Sequence, residues 1–335
     1  MKKKFLLGIL LTVPFLYNCG NSKKTANKTQ TQENPVSVPV FNADSAYAYT
    51  AAQCAFGPRV PNSEAHKDCG EFIAEKFRSF GTTVTDQRAD LMAYDGTILK
   101  ARNIIASVNP ESQQRILFCA HWDSRPWCDN DPDSNNWQKP VMGANDGASG
   151  VAVMLEMARL IQQTPLEIGV DFICFDAEDY GTPQWADNGL TNNSNTWCLG
   201  SQYWASMPHK DNYRAKFGIL LDMVGGRGCT FSQEAYSQEY APGIVAQVWE
   251  TAAKIGYGQF FPKRTSGYIT DDHVPVNQIA RIPCINIVPY FTDGPSSFGP
   301  TWHTVNDNME HIDKNVLKAV GQTVIQVLYE ENKRQ

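Results

Sequence analysis

Histidine or paired acids stand where several apolar runs of this sequence end. Residues 115–120 are followed by His121-Trp122-Asp123, residues 170–175 run into Asp176-Ala177-Glu178-Asp179, and residues 217–221 deliver Asp222. Asn145-Asp146-Gly147 stands just before a helical pattern that begins at Ala148, and Trp302-His303-Thr304 lies beyond the last apolar run. Imidazole and carboxylates together suit Zn²⁺, which takes N and O ligands and keeps one position open at a catalytic centre. Taken singly, each has a structural reading, Asp146 as a helix cap and His303 as a satisfied surface histidine. Together they point to a metal centre.

For these groups to meet, the apolar runs must be strands of one sheet. Runs at 101–108, 115–120, 170–175, 217–223 and 284–288 have strand length, and several are apolar on both sides, as buried central strands are. Helical patterns fill 63–80, 148–163, 242–255 and 313–329; Ser63 and Gly81 bracket the first and Asp313 opens the last. The alternation predicts an α/β fold: a three-layer sandwich with a central mixed, mostly parallel sheet flanked by helices. In such sheets the carboxyl ends of the strands face one crevice. No linker composition or internal repeat divides residues 41–335, which read as a single catalytic domain. Two polar stretches, 124–142 and 180–199, are too long for ordinary connections and are expected to rim the site.

The order H-x-D, N-D-G, two adjacent acids, L-L-D, D-D-H and W-H-T resembles the zinc-dependent aminopeptidase superfamily, whose fold is zinc exopeptidase-like. Asp271-Asp272-His273 followed by Val274-Pro275, and Trp302-His303-Thr304 followed by Asn306-Asp307-Asn308, are more closely similar to type II glutaminyl cyclases over residues 58–330. That resemblance implies a glutaminyl-peptide cyclotransferase, which closes the N-terminal glutamine of peptides or proteins into pyroglutamate and releases ammonia. It further implies one Zn²⁺ per chain held by Asp146, Asp179 and His303, with Glu178 as general base and acid. Asp222 and Asp271 would form a hydrogen-bonded acidic pair near the leaving nitrogen, and Trp302, Trp185 and His273 would contact substrate. Animal cyclases carry two glutamates where this chain has Glu178-Asp179; with one methylene less, either the strand end sits nearer the metal or Asp179 is not its ligand.

The residues leave a second function open. His121 and Asp222 could complete a second zinc site beside Asp146, and a metal pair would activate water for hydrolysis, as in a two-zinc aminopeptidase. Asp271 discriminates, because a hydrogen bond from Asp271 to Asp222 would remove a ligand from that second site. A third reading, a metal-free receptor or scaffold, is opposed by the complete ligand set. Asp129, Asp131 and Asp133 alternate as in a calcium loop, but Ser134 and Pro140 stand where such a loop needs Gly and Glu, which predicts a solvated rim loop instead. Trp127, Trp137, Trp185 and Trp197 in the polar stretches suggest an aromatic pocket mouth.

Composition bounds the setting. With 42% hydrophobic and 19% charged residues among 335, the chain can bury a large core. Its net charge of −6, or −9 once residues 1–18 with Lys2, Lys3 and Lys4 are set aside, argues against nucleic acid as a partner. Residues 1–18 read as a lipoprotein signal peptide, three lysines and an apolar run ending at Leu16-Tyr17-Asn18-Cys19. Acylated Cys19 would anchor an exported protein to a bacterial membrane, through a flexible polar tether over 19–40, with the catalytic domain in the periplasm and monomeric. Of the other cysteines, Cys119, Cys174 and Cys284 lie in apolar runs and read as buried thiols, whereas Cys54, Cys69, Cys128, Cys198 and Cys229 lie nearer loops or helix faces. Cys128 and Cys198 are the expected bridge.

Overall fold

The computed structural model of the chain describes residues 38–187 and 194–334. The expected signal peptide, Cys19 and most of the tether lie outside the described residues. The described strands are β1 (Thr83–Met92), β2 (Ile98–Val108), β3 (Arg115–His121), β4 (Gly169–Phe175), β5 (Gly218–Leu221) and β6 (Cys284–Ile287). The helices are α1 (Ala43–Cys54), α2 (Glu64–Ser79), α3 (Ala148–Gln163), α4 (Leu199–Ser206), α5 (Ala235–Tyr240), α6 (Pro242–Lys254), α7 (His273–Gln278) and α8 (Lys314–Lys333).

Side chains alternate across the strands, and both faces are covered. Ile116, Phe118 and Ala120 of β3 join Ile219 and Leu221 of β5 in one core closed by α1, α2, α3, α6 and α8. Leu117, Cys119 and Leu220 point the other way, onto Trp204 of α4 and Val276 of α7. Strand order is β1-β2-β4-β3-β5-β6, with β4, β3, β5 and β6 parallel and β1 and β2 antiparallel at one edge. This is the mixed, helix-flanked α/β sandwich expected from the sequence.

Register sets the heights at which the polar groups emerge. His121 pairs with Phe175, so β3 and β4 end level, and the pairing of Cys119 with Leu220 carries Asp222 to the same end of the sheet. Helix α3 starts against that edge. Gly147 has φ 98°, and a Cβ there would lie 2.6 Å from the Asp123 carbonyl oxygen. Three residues on, a Cβ at Gly150 would lie 2.1 Å from the Leu221 carbonyl oxygen. Only glycine permits this turn and this approach.

Strand β1 was not expected, since its residues alternate between exposed and half-buried at the sheet edge and make no apolar run. Helices α1, α4, α5 and α7 were also missed; α5 and α7 are six residues long, and α1 is dominated by alanine and polar residues. The Cys128–Cys198 bridge does not form, and both thiols are free and buried. Among the described residues no helix is long and apolar enough to cross a membrane.

Candidate metal centre and active site

Three loops meet at the carboxyl edge of the sheet. Asp146 sits on the turn into α3, where the Asp307 carboxylate accepts its backbone N–H at 3.0 Å and that of Asn145 at 2.7 Å. Glu178 and Asp179 follow β4, and the wholly buried carboxylate of Asp123 accepts both their N–H groups at 3.1 Å. His303 stands on a turn with φ 54°, its ring stacked on Trp302 at 3.8 Å and parallel to Trp197 at 6.1 Å.

From these positions one ligand atom each of Asp146, Asp179 and His303 falls within 4.8 Å of the others. His303 Nε2 lies 3.1 Å from Asp179 Oδ1 and 3.5 Å from Asp146 Oδ2. Asp146 Oδ2 and Asp179 Oδ2 are buried with no hydrogen-bond partner. Burying bare carboxylate oxygens is costly unless something positive completes them, and this N/O donor set fits zinc. The shorter Asp179 side chain therefore reaches its neighbours.

Behind the three groups stands a buried brace. Arg125 donates to the Asp129 carboxylate at 2.7 and 2.5 Å and to the Asp179 carbonyl oxygen at 3.0 Å, while Asp129 Oδ1 lies 3.5 Å from His303 Nδ1. A carboxylate at that nitrogen leaves Nε2 as the ring's ligand atom. The solvated rim expected around Asp129 is thus corrected: Asp129 and Asp131 are buried, and Asp131 ties the loop by accepting from Asp133, Asn136 and Val305. Of the alternating acids, Asp133 alone is exposed.

The three groups open into a cavity of about 600 Å³ whose floor also includes Glu178, Asp222 and Asp271 and whose walls include Trp197, Tyr268, Phe298 and Trp302. Asp222 accepts from His121 Nε2 at 3.2 Å, and the same nitrogen lies 2.9 Å from Asp146 Oδ1. Burial first, and then the Asp271 charge, push the Asp222 carboxyl up to about 8. Asp271 instead accepts from the Asn286 side chain and the Asp272 N–H, each at 2.6 Å, so the hydrogen bond expected between Asp271 and Asp222 is not made and does not take Asp222 away from a second site; burial raises the Asp271 carboxyl as well. His121, Asp146 and Asp222 form a second group with converging ligand atoms, the arrangement a second metal would use.

Two expected substrate contacts fall elsewhere. Trp185 is 42% exposed, set edge-on to Trp127 and stacked on Trp137, and Trp197 takes the place assigned to it in the cavity wall. His273 is fully buried on α7 and pairs with Glu234 Oε1 at 3.0 Å, outside the cavity lining. Asp123, Arg125 and Asp307 were not foreseen in these roles. Asp123 and Asp307 lie inside motifs visible in the sequence, but what they hold is backbone, which spacing does not reveal.

The model of peptidase family M28 matches residues 103–328, which carry Glu178, Asp222 and Asp271 and all three clustered metal-site groups. The chain belongs to peptidase family M28. It is a zinc-dependent enzyme. Among solved structures, glutaminyl cyclase from Bacteroides thetaiotaomicron is 56% identical, covering 87% of this chain and 99% of that one with a TM-score of 0.85. Glutaminyl cyclase from Tannerella forsythia is 52% identical over 87% and 99%, with a TM-score of 0.84. A protein from Bacteroides thetaiotaomicron described as a leucine aminopeptidase precursor is 56% identical over 88% and 99%, with a TM-score of 0.85. The M28 chain spans 55% of the length of a curated relative, aminopeptidase YwaD of Bacillus subtilis, and 64% of another, glutaminyl-peptide cyclotransferase of Boiga irregularis.

Proposed function

We propose that this M28 enzyme is a glutaminyl-peptide cyclotransferase, converting N-terminal glutamine of peptides or proteins into pyroglutamate with release of ammonia. Likeness to solved glutaminyl cyclases over nearly their whole length carries the reading. Asp146, Asp179 and His303 would hold one Zn²⁺ per chain. Zinc held there would supply Lewis-acid polarisation of the substrate's side-chain amide carbonyl and offset the negative charge that develops on it.

The rest is done by the chain's own groups. The reaction is intramolecular, so the cavity has to fold the substrate until its α-amine lies against the γ-carbonyl carbon, with Trp302 and Phe298 excluding water from one side. Glu178 takes the proton from the attacking amine and returns one to the departing nitrogen as the C–N bond to ammonia breaks. Asp222 and Asp271 both face the cavity, and two neighbouring buried carboxyls do not both ionise cheaply. One of them kept protonated can hydrogen-bond the departing nitrogen while Glu178 delivers the proton.

The clustering of His121, Asp146 and Asp222 favours one alternative, a two-zinc aminopeptidase. Offering Gln-peptides and aminoacyl chromogenic amides side by side tests both: ammonia with pyroglutamyl product supports cyclisation, and a free amino acid with released chromophore supports hydrolysis. The N-terminal sequence supports an exported enzyme, tethered through acylated Cys19 to a bacterial membrane with its catalytic domain in the periplasm. Labelling with a radioactive fatty acid, lost in Cys19→Ala, tests the anchor.

A further inference from the structure

After the polar stretch that follows β4, the chain returns to the turn that leaves the strand. The N–H of Cys198 donates to the Glu178 carbonyl oxygen at 3.0 Å, and that of Leu199 to the Ala177 carbonyl oxygen at 3.1 Å. Both Ala177 and Cys198 occupy the left-handed region, with φ 52° and 57°. Residues without glycine's freedom keep that conformation only where the surroundings impose it, and such positions gather at functional sites. The consequence of the twist at Cys198 is that its Sγ sits 3.2 Å from Glu178 Oε1. Burial first, and then the Glu178 charge, push the Cys198 thiol well above its ordinary value, so it stays an S–H donor.

We infer that Cys198 is a positioning residue whose thiol fixes one oxygen of the Glu178 carboxylate and leaves the other to the cavity. This rests on Glu178 being the proton carrier of the cyclisation proposed above. A group that must both accept from an amine and donate to a leaving nitrogen has to keep one orientation through two proton transfers, or the acceptor atom swings away between them. Glu178 lines the cavity and is only 9% exposed, so it has little water to orient it. A thiol suits the task because S–H is a weak donor that holds direction without strongly favouring the charged carboxylate.

The zinc-loaded enzyme tests this with Cys198→Ala, Cys198→Ser, Glu178→Gln and the double variant Glu178→Gln/Cys198→Ala. Zinc content and thermal midpoint are measured beside kcat and KM for a Gln-peptide. Cys198→Ala is expected to keep its zinc and its KM within about twofold while kcat falls about tenfold, less than the ~10²-fold that a full misplacement can cost. Cys198→Ser, which still donates, should recover most of kcat, and Cys198→Ala should cost nothing further in the Glu178→Gln background. The proposal is overturned if Cys198→Ala turns over like wild type, if serine fares no better than alanine, or if the loss persists without the Glu178 carboxylate. A zinc-loaded wild type that yields no pyroglutamate overturns the cyclase reading and this proposal with it. A cyclising wild type with an unaffected Cys198→Ala overturns the role of Cys198 alone.

Discussion

Asp307 grips the main chain of Asp146 from 161 residues away, its carboxylate accepting the Asp146 N–H at 3.0 Å as its other oxygen accepts that of Asn145 at 2.7 Å. Asp123 does the same for Glu178 and Asp179. Each loop that presents a carboxylate to the centre is therefore fixed by a second carboxylate bound to its backbone. Negative charge gathered at one spot would drive these loops apart without a cation, and the clamps hold the ligand atoms close before one arrives.

Asp307→Ala removes one clamp and no ligand. Zinc affinity, measured by competition with a chromophoric chelator, should fall by about 10- to 100-fold, the usual cost of losing a group that supports a metal ligand. kcat at saturating zinc should change far less. Unchanged affinity would show that the turn into α3 holds Asp146 unaided.

Glu178→Gln keeps size and shape while removing the proton carrier. Because Asp146, Asp179 and His303 are untouched, the variant should bind zinc and melt as wild type does. Cyclisation should fall by roughly 10²- to 10⁴-fold, the range expected for a positioned general base. Most of the activity surviving in zinc-loaded Glu178→Gln would take Glu178 out of the reaction.

How much of this could be read from the sequence depended on what each residue touches. Ala120 and Phe175 end apolar runs, so the strands that aim His121 and Glu178 were plain, and so were the three groups that converge as candidate ligands. Trp185 and Trp197 have the same composition around them, and the choice between them turns on loop geometry: Trp197 lines the cavity whereas Trp185 packs on Trp137. Asp129 looked like a loop acid because its neighbours in sequence are polar, yet its neighbours in space are Arg125 and His303. His273 lies two residues after Asp271 in the chain but on a helix whose buried side faces Glu234. Long-range polar pairs of this kind leave no periodicity.

Away from the site, a buried ion pair sets a pH limit on the fold. Arg115 donates to both oxygens of Asp171 at 2.6 and 2.7 Å, joined by Ser107 and Tyr213. Burial alone would raise the Asp171 carboxyl, but the Arg115 guanidinium holds it below the ordinary value. A carboxyl depressed in the folded state adds stability that is complete above its unfolded pKa of about 3.9 and is lost as pH falls through the folded value. Asp171→Asn strands the Arg115 charge and should cost about 3 kcal/mol at neutral pH. Urea midpoints at pH 7 and pH 3 check this: wild type should lose more of its margin than the variant on acidification, and parallel losses would mean that the pair does not govern the acid limit.

Asp222 separates the two chemistries that the site could support. If a single zinc sits on Asp146, Asp179 and His303, then Asp222 handles a proton, and Asp222→Asn should still bind one equivalent of zinc. The asparagine oxygen can go on accepting from His121, which lies 3.2 Å from the Asp222 carboxylate, but its amide carries no acidic proton. Turnover should then fall about 10²-fold with zinc affinity within about threefold of wild type, a loss confined to proton transfer. If instead Asp222 shares a second metal with His121 and Asp146, wild type should bind two equivalents and the variant one. Zinc titration of both proteins, followed by calorimetry, decides between them, because the stoichiometry of the wild type and the effect of the substitution must change together in the second case and independently in the first.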